Sequence, residues 1–204
     1  MDQGTARGNA LVSVRIFVEG GGDQRRTQTA CRRAFSVFLG KLLGDRPKPR
    51  IVASGSRDQA YRDFSRSLSG DTGVFATMLV DSEDPVLAGK TAAAHLRDRD
   101  HWTGPLPDGQ VHLMVQCMEA WFLTDKATLA QYYGDGFKQS ALPPNPKIEE
   151  ILKRDVFDGL ERSTVETSKG AYHKTRHGFD ILERLDPAAV QKGSPFAAAF
   201  FKAL

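Results

Sequence analysis

An α/β fold, a parallel sheet of about four strands flanked by helices with a helical C-terminal extension, is what this 204-residue sequence predicts. Three observations predict it. Short apolar runs alternate with helical patterns four times over the first ~120 residues, as βα units with crossover connections do. The run from Val74 to Val80 is apolar but for Thr77, as a strand covered on both faces should be. Beyond about residue 125 the alternation stops and only helical spacing remains. The expected organisation is a disordered leader over 1–10, an α/β domain over 11–125, and a helical elaboration over 126–204 packed on it.

The first strand is read over 12–18, where Val12, Val14, Ile16 and Val18 share one face and Phe17 takes the other. A helix follows from about Gln24 to Leu43. Cys31, Phe35, Phe38, Leu39 and Leu42 recur at helical spacing, while Arg25, Arg26, Arg32, Arg33 and Lys41 stay polar. Asp23 is its expected N-cap, and Gly44 ends it. Ile51-Val52-Ala53 is a second strand running into Ser54-Gly55-Ser56-Arg57. A helix over roughly 58–68 breaks at Ser69-Gly70-Asp71. The third strand ends at Asp81, a helix fits 86–99, and Val111 to Val115 is the fourth strand. Met118 to about Tyr133 reads as one or two helices. Ala141 to Pro146 is a rigid connector, with Asn145 a cap before Pro146 and Lys147. Ile148, Ile151 and Leu152 begin another helix, and Phe179, Ile181, Leu182 and Leu185 mark one more. Pro195 ahead of Phe196, Phe200, Phe201 and Leu204 marks a last, docked helix.

Composition narrows the class. Hydrophobic residues at 40% and charged residues at 26% match a soluble globular chain. A net charge of +3 permits an anionic partner without demanding one. Cys31 and Cys117 form no CxxC pair and no disulfide framework, which suits a reducing cytoplasm. No apolar run approaches the ~20 residues of a membrane span, and MDQGTARGNA has no hydrophobic signal core.

The chemistry lies at the strand ends. Glu19 and Asp23 follow the first strand in VEGGGD; Asp81, Glu83 and Asp84 follow the third in LVDSEDP; Glu119 follows the fourth in VQCMEAWF. Sites in parallel sheets gather at the carboxyl ends of the strands, so these acids should converge on one crevice. Uncompensated carboxylates repel one another, and the remedies are a raised pKa or a hard cation such as Mg²⁺ or Mn²⁺. Such a metal binds phosphate oxygens and activates water. Glu19 is then a general base or a metal ligand. Gly20, Gly21 and Gly22 let the backbone approach a phosphate, and the helix after them offers its N-terminus. Taken singly, acids after strands are ordinary caps and turns.

VEGGGD after a first strand with DSED after a later one resembles the Toprim domain of topoisomerases, bacterial primases and OLD-type nucleases. The signature of that family is a Glu in a Gly-containing turn after the first strand, then a DxD after a later one. Glu19 matches the Glu, and Asp81 the first Asp. The second Asp is replaced: Glu83 holds its spacing and Asp84 lies one residue later, so the second metal ligand is open between them. MVQCMEAWFLTD resembles a block in an uncharacterised bacterial family of Toprim-like proteins, and similar blocks occur in Toprim-like proteins of phage-defence loci. The resemblance spans about 12–204. It implies Mg²⁺- or Mn²⁺-dependent phosphodiester cleavage, a nucleic-acid partner, an ATPase partner protein and a place in phage defence. On it, Glu19 is the general acid/base, Asp81 and either Glu83 or Asp84 bind metal, and Glu119 is an auxiliary ligand or supports the ligands.

Other patterns fit less completely. Gly20 and Gly22 fit GxG, but Arg25 stands where a dinucleotide fingerprint needs Gly or Ala, and the second strand ends without an acid for a ribose. No GxxxxGK[ST] is present. His173 and His177 have zinc-ligand spacing without HExxH or a cysteine partner. Lys169, His173, Lys174 and Arg176 form a cationic cluster suited to phosphates. Arg57 either pairs with one of the acids or binds phosphate. Trp121 and Phe122 belong to the core. Two further functions stay open: a non-catalytic interaction subunit of an ATPase-containing complex, and a phosphoryl-transfer enzyme acting on a small nucleotide.

Overall fold

Four parallel strands form one sheet: β1 (Ser13–Gly21), β2 (Arg50–Gly55), β3 (Val74–Asp81) and β4 (Val111–Met114), in the order β2-β1-β3-β4. This computed structural model describes residues 13–70 and 73–204, so the expected leader, Val12 and Asp71 lie outside the described residues. The chain winds one way from β1 to β2 and the other way through β3 to β4. Direction therefore reverses between β1 and β3, the place where open α/β sheets bind ligands beyond the strands' carboxyl ends.

Helices cover both faces, as the run of β3, apolar but for the buried Thr77, requires. Ile16, Val18 and Leu79 pack with Phe35, Phe38 and Leu39 of α1 (Arg25–Leu43). On the other face Phe17, Met78 and Val80 meet Phe64 of α2 (Arg57–Gly70) and Leu96 of α3 (Ala92–Asp100). Each fully buried side chain of this kind contributes about 1.5–3 kcal/mol.

The C-terminal part is helical. A 3₁₀ segment, Met118–Thr124, leads into α4 (Lys126–Tyr133), α5 (Lys153–Thr164), α6 (Lys174–Leu182), α7 (Pro187–Gly193) and α8 (Pro195–Lys202). α6 and α7 pack on α1, and α8 packs on β4. One apolar cluster runs from Ile16 through Trp121 to Phe201, so these helices share the core of the sheet's α1 face. Trp121 and Phe122 are fully buried, and Trp121 stacks on Phe38 with centroids 5.7 Å apart. No helix among the described residues is long and apolar enough to cross a membrane.

Several boundaries differ from expectation for local reasons. Asp23 does not cap α1: β1 runs on through Gly21, and the N-cap moves to Gln24. The third helix starts at Ala92 rather than 86, because Gly89 takes a left-handed turn (φ 77°) and Thr91 caps the Ala94 N–H at 3.2 Å. Ile148 opens only a 3₁₀ turn, and α5 begins at Lys153. Asn145 accepts the Lys147 N–H at 3.0 Å as a turn, and Lys147 rather than Asn145 is the N-cap of that 3₁₀ segment. The seven-residue α7 is too short to leave a periodic signature; Asp186 caps it and Pro187 opens it.

Gly55 closes the β2 end. Its φ is 83°, and a Cβ there would lie 2.7 Å from the Gly22 carbonyl oxygen. Gly70, by contrast, has open space around it. Gly55→Ala should therefore cost about 2 kcal/mol or more, whereas Gly70→Ala should be neutral or stabilising by about 0.5 kcal/mol, both read from urea unfolding midpoints.

Candidate metal centre

β1 ends in a bulge in which Glu19, Gly20 and Gly21 all stand opposite Gly55. Bulges of this kind re-aim side chains at sheet rims. Here Glu19 is turned across to β3. Its Oε2 accepts the Asp81 backbone N–H at 3.1 Å and Arg57 Nη1 at 3.2 Å. Both contacts use one oxygen, which leaves the other for the cavity that Glu19 lines. Gly21 is dictated by packing: a Cβ would stand 2.7 Å from Gln28 Cα of α1. Thr27 Oγ1 donates to the Gly21 carbonyl and Gln28 Nε2 to the Gly22 carbonyl, fastening the glycine turn to α1.

Asp81 ends β3 and is 3% exposed. Its Oδ1 accepts the Met118 N–H at 2.9 Å, and its Oδ2 lies 3.8 Å from Lys153 Nζ and 3.9 Å from Lys174 Nζ. Burial, then repulsion from Glu19 and Glu119, pushes its pKa up to about 8, although Lys174 and Lys153 pull the other way. Glu83 follows in a left-handed conformation (φ 65°), which costs a non-glycine residue about 1–2 kcal/mol. Its N–H is held by the Gln116 carbonyl at 2.9 Å and its Oε2 by Lys153 Nζ at 2.7 Å. That turn brings Glu83 to the other acids. Oxygens of Glu19, Asp81 and Glu83 all lie within 4.8 Å of one another. Asp84 instead pairs with Arg99 Nε at 2.8 Å, its carboxylate 65% exposed.

Glu119 comes from the 3₁₀ segment and is fully buried. Its Oε1 accepts the Tyr172 hydroxyl at 3.0 Å and lies 4.0 Å from Lys174 Nζ, while its Oε2 has no hydrogen-bond partner. Burial, then Glu119, pushes the Tyr172 phenol upward, so it stays a donor. Glu19, Asp81 and Glu83 offer three oxygen donors of the kind a hard divalent cation takes, and the expected auxiliary ligand Glu119 lies outside that group.

Cations also meet these acids. Arg57 donates to Glu19, to the Asp81 carbonyl through both terminal nitrogens, and pairs with Asp100 at 3.2 Å. Its guanidinium is thereby committed to the protein. Burial alone would depress Lys174, but Glu119 and Asp81 hold it above its ordinary value; Glu83 and Asp81 do the same for Lys153. Of the expected cationic cluster, only Lys174 reaches the acids. Lys169 sits over the Tyr132 ring, 5.0 Å from its centroid. His173 is the N-cap residue of α6, its Nδ1 3.0 Å from Thr175 Oγ1 and its N–H donating to His177 Nδ1, which is no zinc geometry. Lys153, Tyr172 and Gln116 were not anticipated. Lys153 lies 70 residues from Glu83, and no spacing rule connects them.

Beside the cluster lies a cavity of about 460 Å³, bordered by Glu19, Asp81, Lys174, Met118, Phe179 and the glycine turn. Fold and site together define a doubly wound α/β protein with an acidic cluster at its switch point. Residues 18–204 match the family described as "Domain of unknown function (DUF4276)", and the chain belongs to that family. No curated protein and no solved structure matches it.

The raised Asp81 pKa links stability to pH. Between about 4, where the unfolded carboxyl titrates, and about 8, the folded protein keeps a proton that the unfolded chain has lost. Without added metal, stability should therefore fall as pH rises through that window. Asp81→Asn, whose amide oxygen still accepts the Met118 N–H, should flatten the fall and be the more stable form at pH 8 in EDTA. Urea unfolding at pH 5 and pH 8 checks both.

Proposed function

We propose that this chain hydrolyses phosphodiester bonds of a nucleic acid with a divalent cation, Mg²⁺ or Mn²⁺, held by Glu19, Asp81 and Glu83. The observation that carries this reading is the meeting of three carboxylates within 4.8 Å at the switch point of the sheet. When bound, the cation supplies the charge that polarises a phosphoryl oxygen and eases deprotonation of water. The chain's own groups do the rest. Arg57 fixes one oxygen of Glu19, so that the other meets the cation or a water in a defined place. Lys174, half exposed at the start of α6, faces incoming phosphate. Glu119, anchored by Tyr172, holds Lys174 beside the cluster. The Toprim resemblance of VEGGGD and DSED supports the same assignment. A phage-defence role and an ATPase partner rest on that resemblance, and co-purification of the chain with products of neighbouring genes tests them.

A second reading is favoured by one observation. Arg57, Lys153 and Lys174 already contact Glu19, Glu83, Asp81 and Glu119, so the cluster is largely compensated from within. On that reading the chain is an interaction subunit and the ion pairs are structural.

Metal binding and cleavage separate the two. With Mn²⁺ or Mg²⁺ the protein should cut DNA or RNA, and Glu19→Gln and Asp81→Asn should each lose at least about 100-fold in rate. Activity that survives in both variants sinks the catalytic assignment. Calorimetric titration of Mn²⁺ should show Glu83→Gln weaker by at least about tenfold, with Asp84→Asn unchanged. Wild-type protein that neither binds Mn²⁺ at millimolar concentration nor cuts supports the interaction subunit.

A further inference from the structure

We infer that the cavity beside the acids takes a single unstacked nucleotide, its phosphate toward Lys174 and its base against Phe179. The substrate is thus a chain end or an unpaired nucleotide rather than the interior of a duplex. This rests on the phosphodiester reading of the same site and names its substrate class.

The cavity has two chemically different sides. At one, Lys174 stands beside Glu19 and Asp81, with Thr27 and Thr175 on the wall. α1 and α6 both begin there. Neither Gln24 nor His173 caps its helix with a side chain, and neither first turn carries an acid. The positive dipole ends of two helices therefore border one cavity, which favours an anion, although the His173 N–H is already taken by His177. The exposed Asp23 at the rim is followed directly by Gln24, Arg25 and Arg26.

The other side is apolar. Met118 and Phe179 form it, with Gly20 between strand and helix. The Phe179 ring lies against Gly20, its Cζ 3.7 Å from where a Cβ would be. Phe179 is 9% exposed, so most of the ring is held in the core and the remainder is a rigid wall. A bare phosphate leaves that wall wet, and an apolar ligand leaves the helix ends without an anion. A nucleotide satisfies both sides. The volume of about 460 Å³ suits one such unit, within the roughly 300–1,000 Å³ of small-molecule sites. Bases inside a duplex are stacked and paired, and cannot present a face to Phe179 without leaving the helix. Stacking on an aromatic ring is tolerant of base identity, so little sequence preference is expected.

The test is binding, with EDTA present. Methionines labelled with ¹³C at the methyl group report on Met118 in the wild-type protein. AMP and CMP should shift the Met118 methyl signal and inorganic phosphate should not. AMP should bind about tenfold more tightly than phosphate, the scale of one base–aromatic stack. Phe179→Leu should remove that advantage and leave phosphate binding as it was, its folding checked by thermal unfolding; Lys174→Gln should weaken both ligands. AMP binding no tighter than phosphate, or an unmoved Met118 methyl, overturns the inference. The hydrolytic reading fails separately. AMP binding without cleavage of any DNA or RNA in Mn²⁺ upholds the nucleotide cavity and removes the hydrolase. Blunt duplex cut as fast as single strands, and equally fast by Phe179→Leu, overturns the cavity and leaves the hydrolase standing.

Discussion

Parallel pairing of β1 with β3 places Glu19 and Asp81 side by side at the rim of the sheet, close enough for the Asp81 N–H to bond the Glu19 carboxylate. Two acids in a poorly solvated rim repel, and the surrounding structure answers that repulsion. Arg57, the first residue of α2, ties Glu19 to the Asp81 carbonyl and to Asp100 at the end of α3. The 3₁₀ segment supplies the Met118 N–H, α5 supplies Lys153 and α6 supplies Lys174. Elements on both sheet faces thus send groups to this one pair of residues. The C-terminal helices complete the site as well as the core.

This arrangement is weak as a source of stability. Buried ion pairs recover their desolvation cost only with good geometry, and removal of one partner leaves a charge uncompensated. Here the compensation is incomplete. Asp81 is pushed up, and so is the Cys117 thiol, by burial first and then by Glu119 and Asp81. Lys153 and Lys174 are both held above their ordinary values by the acids. Shifts of these separate groups have the sign expected of a local negative field, which three cations reduce without cancelling. Burial, and then this field, keeps the Cys117 thiol protonated and inert.

The glycine turn shows how one short stretch meets several demands at once. The bulge over Glu19 to Gly21 ends pairing with β2 and swings Glu19 toward β3. The same turn must pass close to Gln28 of α1 and let Gly22 approach Gly55. Internal packing therefore requires Gly21 and Gly55. The openness of the turn at the cavity is a consequence of that packing, and it leaves the uncapped start of α1 accessible.

Local pattern was enough to read the parallel sheet, its four strands, the two-sided cover of helices, the core places of Trp121 and Phe122, and the acids at three strand ends. Periods of 2 and 3.6 residues, and the turn residues between them, are written over a few neighbouring positions. The ambiguity of Glu83 and Asp84 was of another kind. Both spacings were acceptable, and only the left-handed turn at Glu83, held by Gln116 and Lys153, separated them. Strand order, the commitment of Arg57 to Glu19, the dispersal of Lys169 from Lys174, and the arrival of Lys153 and Tyr172 were likewise decided in three dimensions. These contacts join residues tens of positions apart across packed elements. Because they depend on how whole helices dock on the sheet, no short stretch of the sequence carries their trace.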